Sequence, residues 1–357
     1  MKRLNEILSK IEKIDYSLTE ETQIRLDNLT KPQGSLGKLE DLAKHVVEIT
    51  RKKSPDLRNK IVFTLAGDHG VTEEGISLFP KGVTPQMVHN FLEGGAGINV
   101  LARHVGARVV VVDMGVDADF APEPNLILKK VAYGTKNFIH EAAMTRDEAF
   151  QSIENGIEVF EEEFNKGIDI AATGEMGIGN TTSASAIASV ITGASVKDVT
   201  GRGTGIDDDS LSNKINVIKK AIEVNNPNAD DGIDILSKIG GFEIGGLVGI
   251  ILAAASRRVP IVVDGFISSA AALIAYKIEP EVKDYMIASH CSVEKGHIIV
   301  WNYLGLEPVL DLSLRLGEGT GAALAMNIVD ASVKILNEMA TFEQANVPTQ
   351  VKGAKQK

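Results

Sequence analysis

Sulfur chemistry is nearly missing from this 357-residue chain: its one cysteine, Cys291, cannot form an intrachain disulfide and leaves no cysteine metal cluster. Aromatic residues are also scarce, at 5% against 44% apolar residues overall, so the core must be built from Ala, Val, Ile and Leu. That composition suits buried parallel strands under close-packed helices. Cationic excess is absent. A net charge of −11 argues against nucleic acid or an anionic membrane surface as a partner, but leaves room for a phosphate held locally by loop amides. No apolar run reaches bilayer length: the longest, residues 244–255, is too short to span and ends at Arg257-Arg258. The first residues, Met-Lys-Arg-Leu-Asn-Glu-Ile-Leu-Ser-Lys, lack the apolar centre of a signal peptide, and a soluble, cytoplasmic protein is expected. There is no internal repeat and no low-complexity segment.

What is present is a helical start followed by alternation. Residues 4–11, 21–29 and 39–51 read as helices, with Lys31-Pro32 stopping the second. From Lys60 the texture changes, and strands are predicted at 61–66, 108–112, 168–173, 259–263, 285–288 and 309–312. Helical patterns lie between them, for example at 141–165, 210–224 and 265–276, and a last amphipathic helix is predicted at 321–339. Strands alternating with helices predict a parallel sheet with helices on its faces. Nearly every predicted strand ends in Gly, Asp, Glu, His or Ser, which brings the polar residues to the carboxyl edge, where such sheets bind ligands. A small helical domain is expected from residues 1–58 and a large α/β domain from 59–320. Residues 321–357 form the C-terminal helix and a fraying polar tail, with the helix packing back on the small domain.

The segment that organises the site is Gly-Glu-Met-Gly-Ile-Gly-Asn-Thr-Thr at 174–182, between the predicted third strand and a helix of small residues. Strand, glycine loop and helix N-terminus make an anion site, with Asn180, Thr181 and Thr182 as added donors. The plainer reading is a tight turn without a ligand. Against it stands Glu175, an acid that belongs in such a loop only if it faces a part of the ligand other than phosphate. The order G-x-x-G-x-G, lying mid-chain, weakens a dinucleotide dehydrogenase. Gly-Arg-Gly-Thr-Gly at 201–205 is either a mobile connection or a loop whose Arg202 reaches phosphate or ribose. Asp207-Asp208-Asp209 reads better as a helix cap than as a metal site. His69 and His290 lack metal-type spacing and read as hydrogen-bonded loop residues. Cys291 reads as a small buried residue. Glu318 lies between glycines past the last predicted strand, as either a solvated turn acid or a general base at the ligand edge. Two classes remain: an enzyme on a phosphorylated ligand, with Glu175 and Glu318 for proton work, or a non-catalytic nucleotide-binding regulator.

Six segments taken together resemble the nicotinate-nucleotide–dimethylbenzimidazole phosphoribosyltransferase family. They are Lys-Pro-Gln-Gly-Ser-Leu-Gly-Lys-Leu-Glu at 31–40, Ala-Gly-Asp-His-Gly-Val at 66–71, the 174–182 segment, the 201–205 segment, Ser-His-Cys-Ser at 289–292 and Leu-Arg-Leu-Gly-Glu-Gly-Thr-Gly at 314–321. The resemblance implies an α/β, three-layer, Rossmann-like fold with a small helical domain from the chain termini, assembled as a homodimer. It implies transfer of a 5-phosphoribosyl group from nicotinate mononucleotide to 5,6-dimethylbenzimidazole, giving nicotinate and α-ribazole 5′-phosphate for cobalamin biosynthesis. The catalytic glutamate falls on Glu318 and a second pocket glutamate on Glu175. Phe79, Pro80, Gln86, Met176 and Leu316 are implied at the base, with Leu78 and Met176 at positions expected to vary with base preference. Gly177, Asn180, Thr181, Gly203, Lys214 and Ser292 are implied at the phosphoribosyl group. No metal and no cofactor is implied, since a pyridinium leaves without a general acid. The paired-acid signature of transferases that use phosphoribosyl pyrophosphate is absent, which agrees with a nucleotide donor.

Overall fold

The computed structural model describes residues 2–348 apart from residue 204; the tail beyond 348, including Gly353, lies outside the described residues. Six strands form one sheet: β1 (Lys60–Gly67), β2 (Ala107–Gly115), β3 (Leu126–Leu128), β4 (Ile170–Met176), β5 (Ile261–Val263) and β6 (Met286–Ala288). Their order is β3-β2-β1-β4-β5-β6 and every pairing is parallel. The order reverses between β1 and β4, so a crevice opens past the carboxyl ends of those two strands. β1 is central and buried from Ile61 onward, pairing with β2 from Lys60–Ala107 and with β4 from Lys60–Ile170. Its run Ile-Val-Phe-Thr-Leu-Ala is nearly all apolar because both faces are covered.

The chain forms two compact units. The larger takes the residues up to Lys13 and Arg58–Met326; the smaller takes Ile14–Leu57 and the chain from Asn327 onward. The first helix, Lys2–Leu8, therefore belongs with the larger unit, not with the small helical one as its sequence position suggested. Leu4 and Ile7 are buried there, and the amides of Arg3 and Leu4 at its N-terminus donate to Glu154 at 3.1 and 3.4 Å.

In the smaller unit, Leu26, Leu29, Ala43, Val47 and Leu336 make one buried cluster. Lys31 and Glu40, the ends of the 31–40 segment, are 2.7 Å apart with both side chains about 5% exposed, and Glu40 also accepts the Leu36 amide at 3.1 Å. That segment thus clips a turn shut, and its residues are structural. Arg25 donates to the Leu336 carbonyl at 2.6 Å, supplying a cation to the C-terminal turns of the last helix, Thr320–Glu338.

Two strand expectations change. Residues 309–312 do not form a strand: only a single parallel bridge, His290 to Leu310, remains. Pro308 precedes the segment and Ser313 follows it at φ +55, which leaves too little extended backbone for a ladder. β3 was not anticipated. It is a three-residue edge strand on Val111–Asp113, too short to carry a period.

The apolar run that was too short for a membrane is the helix Phe242–Ser256, buried from Phe242 through Ala255. Such a helix, apolar all round, belongs in a core. It packs on the helix Arg146–Phe164 at backbone distance: a Cβ on Gly156 would collide with the Gly246 carbonyl, and one on Gly249 with that of Ile153. Gly156→Val should therefore cost about 1–3 kcal/mol or more in unfolding free energy, as overpacking does elsewhere. Urea unfolding measures it. A variant as stable as the parent would mean that the two helices separate freely.

Candidate active site

A cavity of about 430 Å³ opens past the carboxyl ends of the strands, wholly within the larger unit. Its wall brings together most of the residues implied by the sequence: Glu175, Met176, Gly177, Asn180 and Thr181 from the end of β4 and the helix Asn180–Thr192, then Gly203 and Ser292, then Leu316 and Glu318 from the 314–321 segment, with Phe79. Pro80 and Gln86 do not line it, and both are exposed. From the helix Val83–Glu93 it is Val83 and Met87, one turn apart, that face the cavity. His290, Glu294 and Arg315 line it too. His290 and Arg315 sat inside quoted segments but were given no part, and Glu294 lay two residues past one. Among the described residues Arg202 turns onto its own loop, meeting Asp208 and donating to the Ile206 carbonyl at 2.8 Å. Asp207 caps the helix Asp208–Asn225 by accepting the Ser210 amide at 2.8 Å.

Glu318 follows the bridged segment rather than a strand, and its backbone is held from three sides. Thr64 of β1 donates its hydroxyl to the Glu318 carbonyl at 3.1 Å. A Cβ on Gly174 of β4 would collide with that same carbonyl, so the glycine is the space the loop occupies. Asp264, just past β5, accepts the Gly319 and Ala322 amides at 3.2 and 2.8 Å. Glu318 sits at φ +64, a left-handed conformation that costs a non-glycine residue on the order of 1 kcal/mol. Its carboxylate accepts the Ile98 amide at 3.0 Å, in the first turn of the helix Gly97–Val105.

The expected glycine loop begins later than its sequence suggested, because β4 runs through Gly174 and Glu175 to Met176. Asn180 donates to Glu175. A Cβ on Gly177 would meet the Gly67 carbonyl, so this glycine is required by the packing of two strand ends as well as by any ligand. Lys214, almost fully buried, donates to Thr181 at 2.8 Å, and Gly203 covers both. One cation, one hydroxyl and a helix N-terminus thus meet at one place. Ser292 donates its amide to His297 Nδ1 at 3.0 Å, which fixes its turn.

Burial dominates the electrostatics. It raises the Glu175 carboxyl from 4.5 to about 8, helped by Asp264, Glu243 and Glu318 and opposed by the Asn180 hydrogen bond. Glu318 is raised for the same first reason, against the pull of the Ile98 amide. Asp264 is also raised by burial, opposed by His290 and by amide hydrogen bonds. Lys214 is lowered to about 8 by burial, with Glu294 pulling the other way. His297 is pushed down to about 3 by burial and by His290, so it stays neutral. A pocket that holds two buried, raised glutamates beside a phosphate-type cradle is suited to moving a proton on a neutral base next to an anchored anion.

Comparison with known proteins agrees with that chemistry. A family model described as "Phosphoribosyltransferase" matches residues 11–347. A protein of Citrifermentans bemidjiense named nicotinate-nucleotide–dimethylbenzimidazole phosphoribosyltransferase is 56% identical over 97% of this chain and 99% of its own length. The chain belongs to the nicotinate-nucleotide–dimethylbenzimidazole phosphoribosyltransferase family. A Chloroflexus aggregans protein of the same name is 55% identical over 97% of this chain and 98% of its own. The crystal structure of a Thermus thermophilus protein of that name superposes with a TM-score of 0.90 at 38% identity, covering 94% of this chain and all of that one. The six-stranded parallel sheet is therefore the sheet of this phosphoribosyltransferase family.

The raised Glu175 has a consequence for stability. Its neutral form is favoured in the folded state, so between pH 4.5 and about 8 the unfolded chain releases a proton that the folded one keeps. Through that window Glu175 lowers stability as pH rises, and above it the loss is complete. Glu175→Gln should melt close to the parent near pH 5 and above it at pH 9. Thermal melts at the two pH values test this, and a difference that does not grow with pH would count against it.

Proposed function

We propose that this protein acts in the cytoplasm as a homodimeric enzyme that transfers the 5-phosphoribosyl group of nicotinate mononucleotide to 5,6-dimethylbenzimidazole, releasing nicotinate and α-ribazole 5′-phosphate. The observation that carries the reading is Glu318: an acid in a strained backbone conformation, raised by burial, on the wall of a cavity whose lining Thr181 is bonded from behind by the buried Lys214.

The phosphate meets Lys214, Thr181 and the N-terminus of the Asn180–Thr192 helix. Lys214, lowered to about 8, regains full charge when the anion arrives. Leu316 and Met176, beside Glu318 and Glu175, form the apolar wall for the aromatic ring, with Phe79, Val83 and Met87 completing it. The nitrogen lone pair of the benzimidazole attacks C1′ from the face opposite the pyridinium. The C1′–N bond to nicotinate breaks and its electron pair neutralises the departing ring, which therefore needs no proton. Inversion turns a β-linkage into an α-linkage. The ring N–H of the benzimidazole passes its proton to Glu318. Glu175, raised to about 8, already carries a proton through most of the neutral range and so is not free to take one; its role is to hold Asn180 and border the ring.

Glu318→Gln should lower turnover about a hundredfold to ten-thousandfold, while nucleotide binding changes little. Glu175→Gln should fall less, and the double variant lowest. Products are identified by mass after incubation with nicotinate mononucleotide and a panel of bases. A dead Glu175→Gln beside a near-normal Glu318→Gln would reverse the two roles, and nucleotide binding without any ribotide would leave a binding protein only.

The dimer reading rests on wet apolar side chains at the cavity: Phe79 is 50% and Leu316 60% exposed, with Leu78 at 60% next to Phe79. A second copy would cover them. Light scattering at micromolar concentration should give twice the chain mass; a fully active monomer overturns this.

A further inference from the structure

Glu294 stands out among the acids of the cavity. It lines the wall, is 8% exposed, and among the described residues its buried carboxylate oxygen Oε2 has no hydrogen-bond partner. The other acids there are met: Glu175 by Asn180, Glu318 by Ile98. Glu294 is also held in place. Its amide donates to the Ser292 hydroxyl at 3.3 Å, and its carboxylate lies against Gly201, where a Cβ would collide with Oε2. Lys214 is close enough to feel its charge but makes its bond to Thr181 instead. A buried carboxylate oxygen without a donor is costly, so a donor to Oε2 is expected from the ligand.

Resting on the proposed reaction, we infer that Glu294 is the ribose-binding residue, accepting a hydrogen bond from the 2′- or 3′-hydroxyl of the nucleotide. The chemistry of the two substrates leaves few other choices. The phosphate, ionised, donates nothing and would be repelled. The nicotinate carboxylate and the quaternary pyridinium nitrogen donate nothing either. The benzimidazole has one N–H, and Glu318 takes it. The ribose hydroxyls are the remaining donors, and the ribose joins the phosphate at Lys214 and Thr181 to the ring at Glu318. A carboxylate beside the lysine, as Glu294 is, faces that middle part. Gly201 then has a reason of its own: any side chain there would displace the acceptor.

The test measures equilibrium dissociation constants, so that effects of the hydroxyls on bond cleavage do not enter. Nicotinate mononucleotide and its 2′-deoxy and 3′-deoxy analogues are titrated into the parent, Glu294→Gln and Glu294→Ala, each checked for folding by its melt. Loss of one hydroxyl should weaken binding to the parent about ten- to a hundredfold, the worth of a hydrogen bond to a charged group. Both variants should lose a similar factor on the full nucleotide and nothing further on the matching deoxy analogue. Losses that add, or variants that bind the full nucleotide like the parent, overturn the assignment. If neither variant folds, a parent that binds both analogues as well as the nucleotide overturns it just as firmly. A parent that binds the nucleotide but forms no ribotide with dimethylbenzimidazole overturns the reaction while leaving this comparison intact; one that binds no nucleotide overturns both.

Discussion

Asp264, the residue after β5, has a carboxylate that is almost wholly cut off from water, and two amides of distant chain, those of Gly319 and Ala322, take the place of that water. Together with the Thr64 hydroxyl on the Glu318 carbonyl, these bonds tie the 314–321 segment to the middle of the sheet. The Asp264 amide is held by the Thr173 hydroxyl at 3.0 Å, so the tie runs on into β4. Breaking a buried, fully bonded carboxylate leaves orphaned donors as well as a lost bond. The position of Glu318, the start of the Thr320–Glu338 helix and the opening of the cavity all follow from where Asp264 stands.

The same burial that fixes the loop crowds acids. Glu175, Glu318 and Asp264 share one dry region, with Glu243 behind them bonded to His69 at 2.7 Å and His69 bonded in turn to Ser183 at 3.1 Å. Mutual repulsion and desolvation act in the same direction, so the empty pocket favours protons. A cationic pyridinium ring relieves this crowding, and the uncharged ring of the released nicotinate anion does not. The electrostatics therefore favour the donor nucleotide entering over the spent ring staying.

Much of this was legible because parallel strands buried on both faces write long apolar runs that stop at polar residues. β1, β2 and β4 were placed within a few residues, and the polar ends of the strands do gather at one edge. β3 was silent because three edge residues carry no period, and the 309–312 run misled because an apolar tetrapeptide looks alike in a strand and in a bridged loop. In the site, Glu175 and Glu318 announced themselves by being acids among glycines. Glu294 did not: its significance is the lack of a partner, and partners come from segments far away in sequence. Val83 and Met87 are ordinary apolar residues of an amphipathic helix, and only packing shows which of its faces turns toward the cavity. Gln86 fails as a lining residue for the same reason, and Pro80 lies ahead of that helix, exposed.

The left-handed backbone of Glu318 narrows what can ever occupy that position. Branched side chains are excluded before any chemistry is considered. Asparagine and aspartate tolerate the conformation best, yet each is shorter by one methylene than the side chain that reaches the Ile98 amide here. Glycine satisfies the backbone and removes the carboxylate. Two unrelated filters, one steric and one chemical, thus overlap on a very small set of residues, and the site has almost no neighbouring sequence through which to drift toward another base at this position.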